Sequence, residues 1–204
     1  MGIQLDKIDI CQHNMLCPGE FEDLTQAGSV YLVIRNSRKG GEDEIAKKSH
    51  FGIAIDISGL STEGDFIATH YDLYVVSKTN YTTYVGAEFK IRKWNHYSVV
   101  RKVGQIPLNQ IRLYQIPNRF AKEVEHQLIS KVHDAMCELN KGAKWSSTLN
   151  CQTFTRRCVE YFGFEFPQDI KVTSDCMPTL VNLYLNGSLL TNETAEQSTE
   201  TLSF

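Results

Sequence analysis

No stretch of the chain approaches the roughly 18 consecutive apolar residues that a membrane-spanning helix requires, so no bilayer crossing is expected. Its first residues, Met1-Gly2-Ile3-Gln4-Leu5-Asp6-Lys7, lack a basic region followed by an apolar core, which argues against a secretory signal. Asp6 stands where a myristoylation signal takes Ser or Thr, so that anchor is not expected either. The expectation is a cytoplasmic protein, at most peripheral to membranes, in which the sequons at Asn80, Asn186 and Asn192 carry no meaning. The formal net charge of −3 and pI near 6.1 leave no global positive field, and basic pairs such as Lys47-Lys48 and Arg156-Arg157 are short, so a nucleic-acid partner is not expected. None of the six cysteines (Cys11, Cys17, Cys137, Cys151, Cys158 and Cys176) forms a CxxC pair, and no His or Cys cluster at zinc spacing accompanies Cys11 and Cys17. No metal or cofactor is expected, and the cysteines are read as free thiols.

What is present is enough chain for one ordinary domain: 204 residues, 42% hydrophobic. Residues 1–26 are turn-rich, residues 27–185 form the folded domain, and the polar residues 186–204 read as a disordered tail. Strand patterns cover residues 28–35, 50–57, 65–76 and 82–94, with further candidates at 98–103 and 111–116. The polar run 36–48, holding Gly40-Gly41, reads as a loop. After Pro117 the period becomes helical: Phe120, Val124, Leu128, Ile129, Val132, Met136 and Leu139 mark a long helix with Asn118 as a candidate cap and Gly142 beyond its end. A second helix starts near Cys151 behind Asn150, with the stripe Phe154, Cys158, Val159 and Phe162, and a short third one is expected over 175–185. The fold class is α+β, an antiparallel sheet packed against helices.

Cys151 is the most informative residue. At the first turn of a helix, unsatisfied N–H groups and the positive end of the macrodipole stabilise a thiolate and offer donors to an oxyanion. Cys158 lies inside the apolar stripe and reads as core. His50, opening a strand after the charged run, and His70, on the following strand, can be brought together by a hairpin, one taking the thiol proton and the other orienting it. Taken singly, each of the three residues has a plain structural reading as core or strand-end filler. His96, His126 and His133 sit in a polar loop and along the exposed side of the long helix, and His13 is uninformative.

The stretches His50-Phe51-Gly52-Ile53-Ala54-Ile55, Phe66-Ile67-Ala68-Thr69-His70 and Asn150-Cys151-Gln152-Thr153-Phe154 occur in that order. Together they resemble the circularly permuted papain-like fold of the NlpC superfamily, especially the branch of lecithin retinol acyltransferase and the HRAS-like suppressor phospholipase-acyltransferases. That branch carries a His-Trp-Ala-Ile-Tyr-like strand, a second His about a dozen residues on, and a nucleophile in Asn-Cys-Glu-His-Phe. Here Gln152-Thr153 replace Glu-His, and the branch's hydrophobic C-terminal anchor has no counterpart. The resemblance spans roughly residues 28–165. It implies Cys151 as nucleophile, His50 as general base, His70 as polar orienter and the Cys151 N–H as an oxyanion donor.

The function expected is a cysteine-dependent acyl hydrolase or acyltransferase working through a Cys151 thioester, with a lipid or other acyl substrate favoured by resemblance. A cysteine peptidase or deconjugating amidase of the same fold is the alternative, favoured by the missing anchor. A non-catalytic interaction domain, with Cys151 only packing, is the reading from another class. Substrate, acceptor and oligomeric state are left open.

Overall fold

The computed structural model describes residues 17–36, 41–62, 64–75 and 81–177. The expected disordered tail, residues 1–16 of the N-terminal segment and most of the helix expected over 175–185 lie outside them. Five antiparallel strands, β1 (Ser29–Arg35), β2 (His50–Asp56), β3 (Asp65–Val75), β4 (Thr83–Lys93) and β5 (Val99–Gln105), form one sheet in the order β4-β3-β2-β1-β5. β2 is central and buried along its whole length, which explains why it reads as a run of apolar and small residues.

The two faces of the sheet have separate cores. Val30, Ile53, Ile55, Tyr71 and Leu73 pack on one face against Phe120, Val124, Ile129, Phe154 and Val159 from the helices. On the other face Val33, Ala54, Phe66 and Ala68 meet Tyr31, Trp94 and Tyr97. Residues 94–98 alone join β4 at one sheet edge to β5 at the other, so the sheet curls around this second face. The small side chains of Ala54 and Ala68 admit the curl, and Tyr31 on β1 meets Phe66 on β3 edge to face at 5.0 Å.

The helices are α1 (Glu42–Lys48), α2 (Leu108–Ile111), α3 (Pro117–Val124), α4 (Ser130–Leu139) and α5 (Cys151–Tyr161), with a π-helical turn over Glu125–Ile129 joining α3 to α4. Three expectations are corrected. Within the expected loop 36–48, residues 42–48 are helical: acidic Glu42, Asp43 and Glu44 in the first turn and basic Lys47 and Lys48 in the last match the macrodipole. Residues 111–116 are not a strand but the end of α2 and a turn. The long helix starts with Pro117 at its first position behind Ile116, not behind Asn118, because proline's missing N–H costs nothing there. In the third expected helix, the described residues 175–177 form a turn and coil.

Residues 164–177 run back along the sheet as an irregular strap. Phe166, Ile170 and Val172 pack on Leu32, Ile34 and Phe51, and the strap ends over the start of α5. Among the described residues no helix is long and apolar enough to cross a membrane.

Candidate active site

Asn150 determines where α5 begins. Its side chain accepts from the N–H groups of Gln152 and Thr153, both at 3.0 Å, while the Thr153 hydroxyl accepts from the Asn150 N–H at 3.0 Å, completing a capping box. Asn150 Nδ2 also donates to the carbonyls of Ser146 and Ser147, so the cap itself is held from behind. The cap engages Gln152 and Thr153 and leaves Cys151 at the first helical position, where the peptide dipoles converge. α5 packs on β2 and β3, which brings the Cys151 sulfur to the start of β2, 3.8 Å from the Ser49 carbonyl oxygen.

His50, the first residue of β2, hydrogen-bonds the Cys151 thiol and, through Nε2, the Asp72 carboxylate at 2.9 Å. With Nε2 committed to Asp72, Nδ1 is the nitrogen left for the sulfur. The other Asp72 oxygen accepts from the Tyr74 hydroxyl at 2.9 Å, and the Tyr74 ring stacks on His50 with centroids 6.2 Å apart. Cys151, His50 and Asp72 are all buried.

Two glycines make this geometry possible. Across the sheet Gly52, Asp72 and Gly86 lie in one register row. A Cβ on Gly52 would fall 2.2 Å from Asp72 Oδ1, and one on Gly86 would fall 2.5 Å from the Tyr74 ring. The bare backbones at 52 and 86 are therefore what let the carboxylate lie across β2 and the phenol across β4.

The electrostatics follow from the contacts. Burial opposes charge on His50, but hydrogen bonds to Asp72 and Cys151 outweigh it and push the imidazole up to about 9. Burial likewise opposes the Cys151 thiolate, yet hydrogen bonds from Cys176 and His50, the charge of His50 and the Phe51 backbone N–H hold the thiol well below its ordinary range. Asp72 is also held low: the His50 hydrogen bond and charge, with Lys90 and Arg35 nearby, overcome its burial. These shifts favour a thiolate–imidazolium pair with a carboxylate behind it, an arrangement of buried charges that is tolerable only where each is hydrogen-bonded.

The structure thus brings Cys151 and His50 together but does not bring His70 to them. Asp72, two residues further along the same strand and face, holds the position expected of His70. His70 pairs in register with Ala54, deeper in the curl of the sheet. Its Nδ1 lies 3.0 Å from the Tyr97 hydroxyl and its ring stacks on Tyr97 at 5.7 Å. Nε2 is buried with no hydrogen-bond partner among the described residues, and burial pushes this imidazole down to about 3. Of the remaining candidates, Cys158 is buried with its thiol pushed far up by burial, as a core cysteine should be. His133 is not on an exposed helix side; it is half-buried, with Nε2 3.1 Å from the Thr83 hydroxyl.

The sequence reading also missed a second thiol. Cys176 Sγ, on the strap, is 3.8 Å from Cys151 Sγ. Its hydrogen bond to Cys151 and its burial push it far above the ordinary thiol range, which favours its protonated form. The strap is pinned around it: Trp145 Nε1 donates to the Cys176 carbonyl at 2.8 Å, the Met177 N–H to the Lys47 carbonyl at 3.0 Å, and Lys47 pairs with Asp175 at 2.8 Å. Gln152, fully buried, accepts from the Thr173 N–H at 2.9 Å and donates to the carbonyls of Ala46 and Ser49. A surface hollow of about 610 Å³ lined by Tyr31, Thr62 and Trp94 shares no residue with this site. Among the described residues no group of three or more His, Cys, Asp or Glu side chains could hold a metal ion. Comparison with protein-family models, with curated proteins and with solved structures finds no match to the chain.

Proposed function

We propose that the protein is a thiol-dependent acyl hydrolase or acyltransferase of the permuted papain-like type, with Cys151 as nucleophile, His50 as acid–base and Asp72 as the residue that orients His50. The observation that carries this reading is a single imidazole bonded to both a helix-start thiol and a buried carboxylate. Such an arrangement suits a nucleophile, its base and the base's anchor, and a packing role alone has no use for it.

In this mechanism the Cys151 thiolate attacks a carbonyl carbon, and the resulting oxyanion takes the Cys151 backbone N–H at the dipole end of α5. The His50 imidazolium gives its proton to the leaving group as the C–O or C–N bond breaks, which leaves a thioester. Neutral His50 then takes a proton from water or from another acceptor, whose oxygen or nitrogen attacks the thioester and releases the thiolate. Asp72 stays ionised throughout and holds the ring.

A lipid or acyl donor rests on the likeness of the three sequence stretches. One specific observation favours the peptide alternative: beside the thiol lies a stretch of polypeptide whose N–H groups at Thr173 and Met177 donate to the Gln152 side chain and the Lys47 carbonyl, so the site's surroundings already bind backbone. Incubation with mixed phospholipids and, separately, with a peptide carrying a carbonyl electrophile, each followed by intact mass and peptide mapping, tests both readings. An acyl adduct on Cys151 from phospholipid supports the first, and reaction with the peptide probe alone supports the second. If Cys151 takes up neither, acyl transfer is refuted.

A further inference from the structure

We propose that Cys151 and Cys176 form a peroxide-oxidisable dithiol that closes to a reversible disulfide and so locks the strap over the site. Three observations carry this. The sulfurs are 3.8 Å apart, so roughly 1.8 Å of approach gives the 2.05 Å S–S bond. Cys176 belongs to neither helix nor strand, so the approach breaks no ladder. And the two thiols have opposite characters, one beside His50 whose ionised form is favoured and one in contact with it whose protonated form is favoured, which is the pairing of an attacking and a resolving cysteine.

The chemistry balances with hydrogen peroxide as oxidant. The Cys151 thiolate attacks one peroxide oxygen, the O–O bond breaks, and the departing hydroxide takes the His50 proton and leaves as water. Cys151 is now a sulfenic acid. Cys176 sulfur attacks the Cys151 sulfur, the S–O bond breaks, and hydroxide leaves with the Cys176 proton as a second water. Two sulfurs are each oxidised by one electron and the peroxide is reduced to two waters. With the Cys151 sulfur consumed, no thioester can form until a dithiol reductant restores it. Met177, next to Cys176, is 42% exposed, which places the buried pair one residue from the surface.

The inference shares the Cys151 thiolate with the proposed function but needs no acyl substrate, so mass, not turnover, is the readout. The full chain is treated with a small excess of hydrogen peroxide, alkylated and mapped. The expected result is loss of two hydrogens, a Cys151–Cys176 cross-linked peptide and full recovery with dithiothreitol. In Cys176→Ser, or Cys176→Ala if the first misfolds, Cys151 instead gains one oxygen and is trapped by dimedone. Three outcomes overturn the proposal: Cys151 oxidised with Cys176 still alkylatable, Cys151 cross-linked to a different cysteine, or a wild-type pair left unoxidised. Any of these leaves the acyl adduct on Cys151 to be judged separately.

Discussion

Replacing Asp72 with Asn isolates the carboxylate's electrostatic contribution, because the amide keeps the shape and can still accept from His50 Nε2 and donate or accept at Tyr74. What it removes is charge assistance. Hydrogen bonds to charged groups are worth about 1.5–3 kcal/mol, and 1.36 kcal/mol corresponds to one pKa unit, so His50 should fall by roughly 1–2 units. The wild-type imidazole, raised to about 9, then titrates near 7–8 in the variant, an order-of-magnitude expectation. Carbon-13 labelled histidine observed by NMR across pH reads this directly and needs neither substrate nor access to a buried thiol. The sign of the stability effect follows. His50 is raised above its ordinary value near 6.5, so its contribution is fully present below that pH and is lost as pH rises through about 9. Asp72 is lowered, so its contribution is present above about 4 and lost on further acidification. The wild type should therefore exceed Asp72→Asn in unfolding free energy most clearly between about pH 4 and 6.5, by roughly 3 kcal/mol at most, with the gap closing above about 9. A His50 titration that does not move in the variant, or a gap that widens in alkali, refutes the assigned ion pair.

Three further predictions follow from the same contacts. Gly52→Ala should lower activity and His50 basicity while keeping the fold, because its Cβ displaces the Asp72 carboxylate, whose oxygen lies 2.2 Å away; the NMR titration and a melting curve measured together separate the two effects. Tyr74→Phe leaves one Asp72 oxygen without its donor and should cost about 1–2 kcal/mol of stability, measured by urea unfolding, with a smaller loss of activity than Asp72→Asn. His70, pushed down to about 3 by burial, favours its neutral form in the fold, so protonation of the unfolded chain should lower stability by roughly 2 kcal/mol between about pH 7 and 5. Urea midpoints at the two pH values check this, and His70→Gln should flatten the loss.

The strands and the helix behind Asn150 were legible because alternation, the 3.6-residue period and the cap are local signals. That Cys151 and His50, the proposed nucleophile and base, come together could be read for the same reason: both open an element, where sequence marks position best. The third member could not. His70 and Asp72 are two residues apart and share a face, and what separates them is the pairing of β2 with β3, a long-range register in which Asp72 and not His70 falls opposite Gly52. The one local clue was Gly52 itself, since a glycine inside a buried strand marks a close approach of another group. Cys176 was illegible for a different reason: it lies in irregular chain, positioned by Trp145, Gln152 and Lys47 from distant elements. The helix at 42–48 was hidden by its composition, which offers only Ile45 and Ala46 as apolar residues and announces itself through the order of its charges.

The account stands on a Cys151 thiolate sustained by His50, and alkylation at about pH 6 measures that most directly. An ordinary thiol with a pKa near 8.5 is then ionised to less than about 1%. Reduced full-length protein treated with iodoacetamide and mapped over time should lose Cys151 ahead of Cys17 and Cys137, although Cys151 is the more deeply buried. His50→Ala should abolish that preference. If Cys151 labels only above about pH 8.5, equally in wild type and in His50→Ala, the central claim is contradicted.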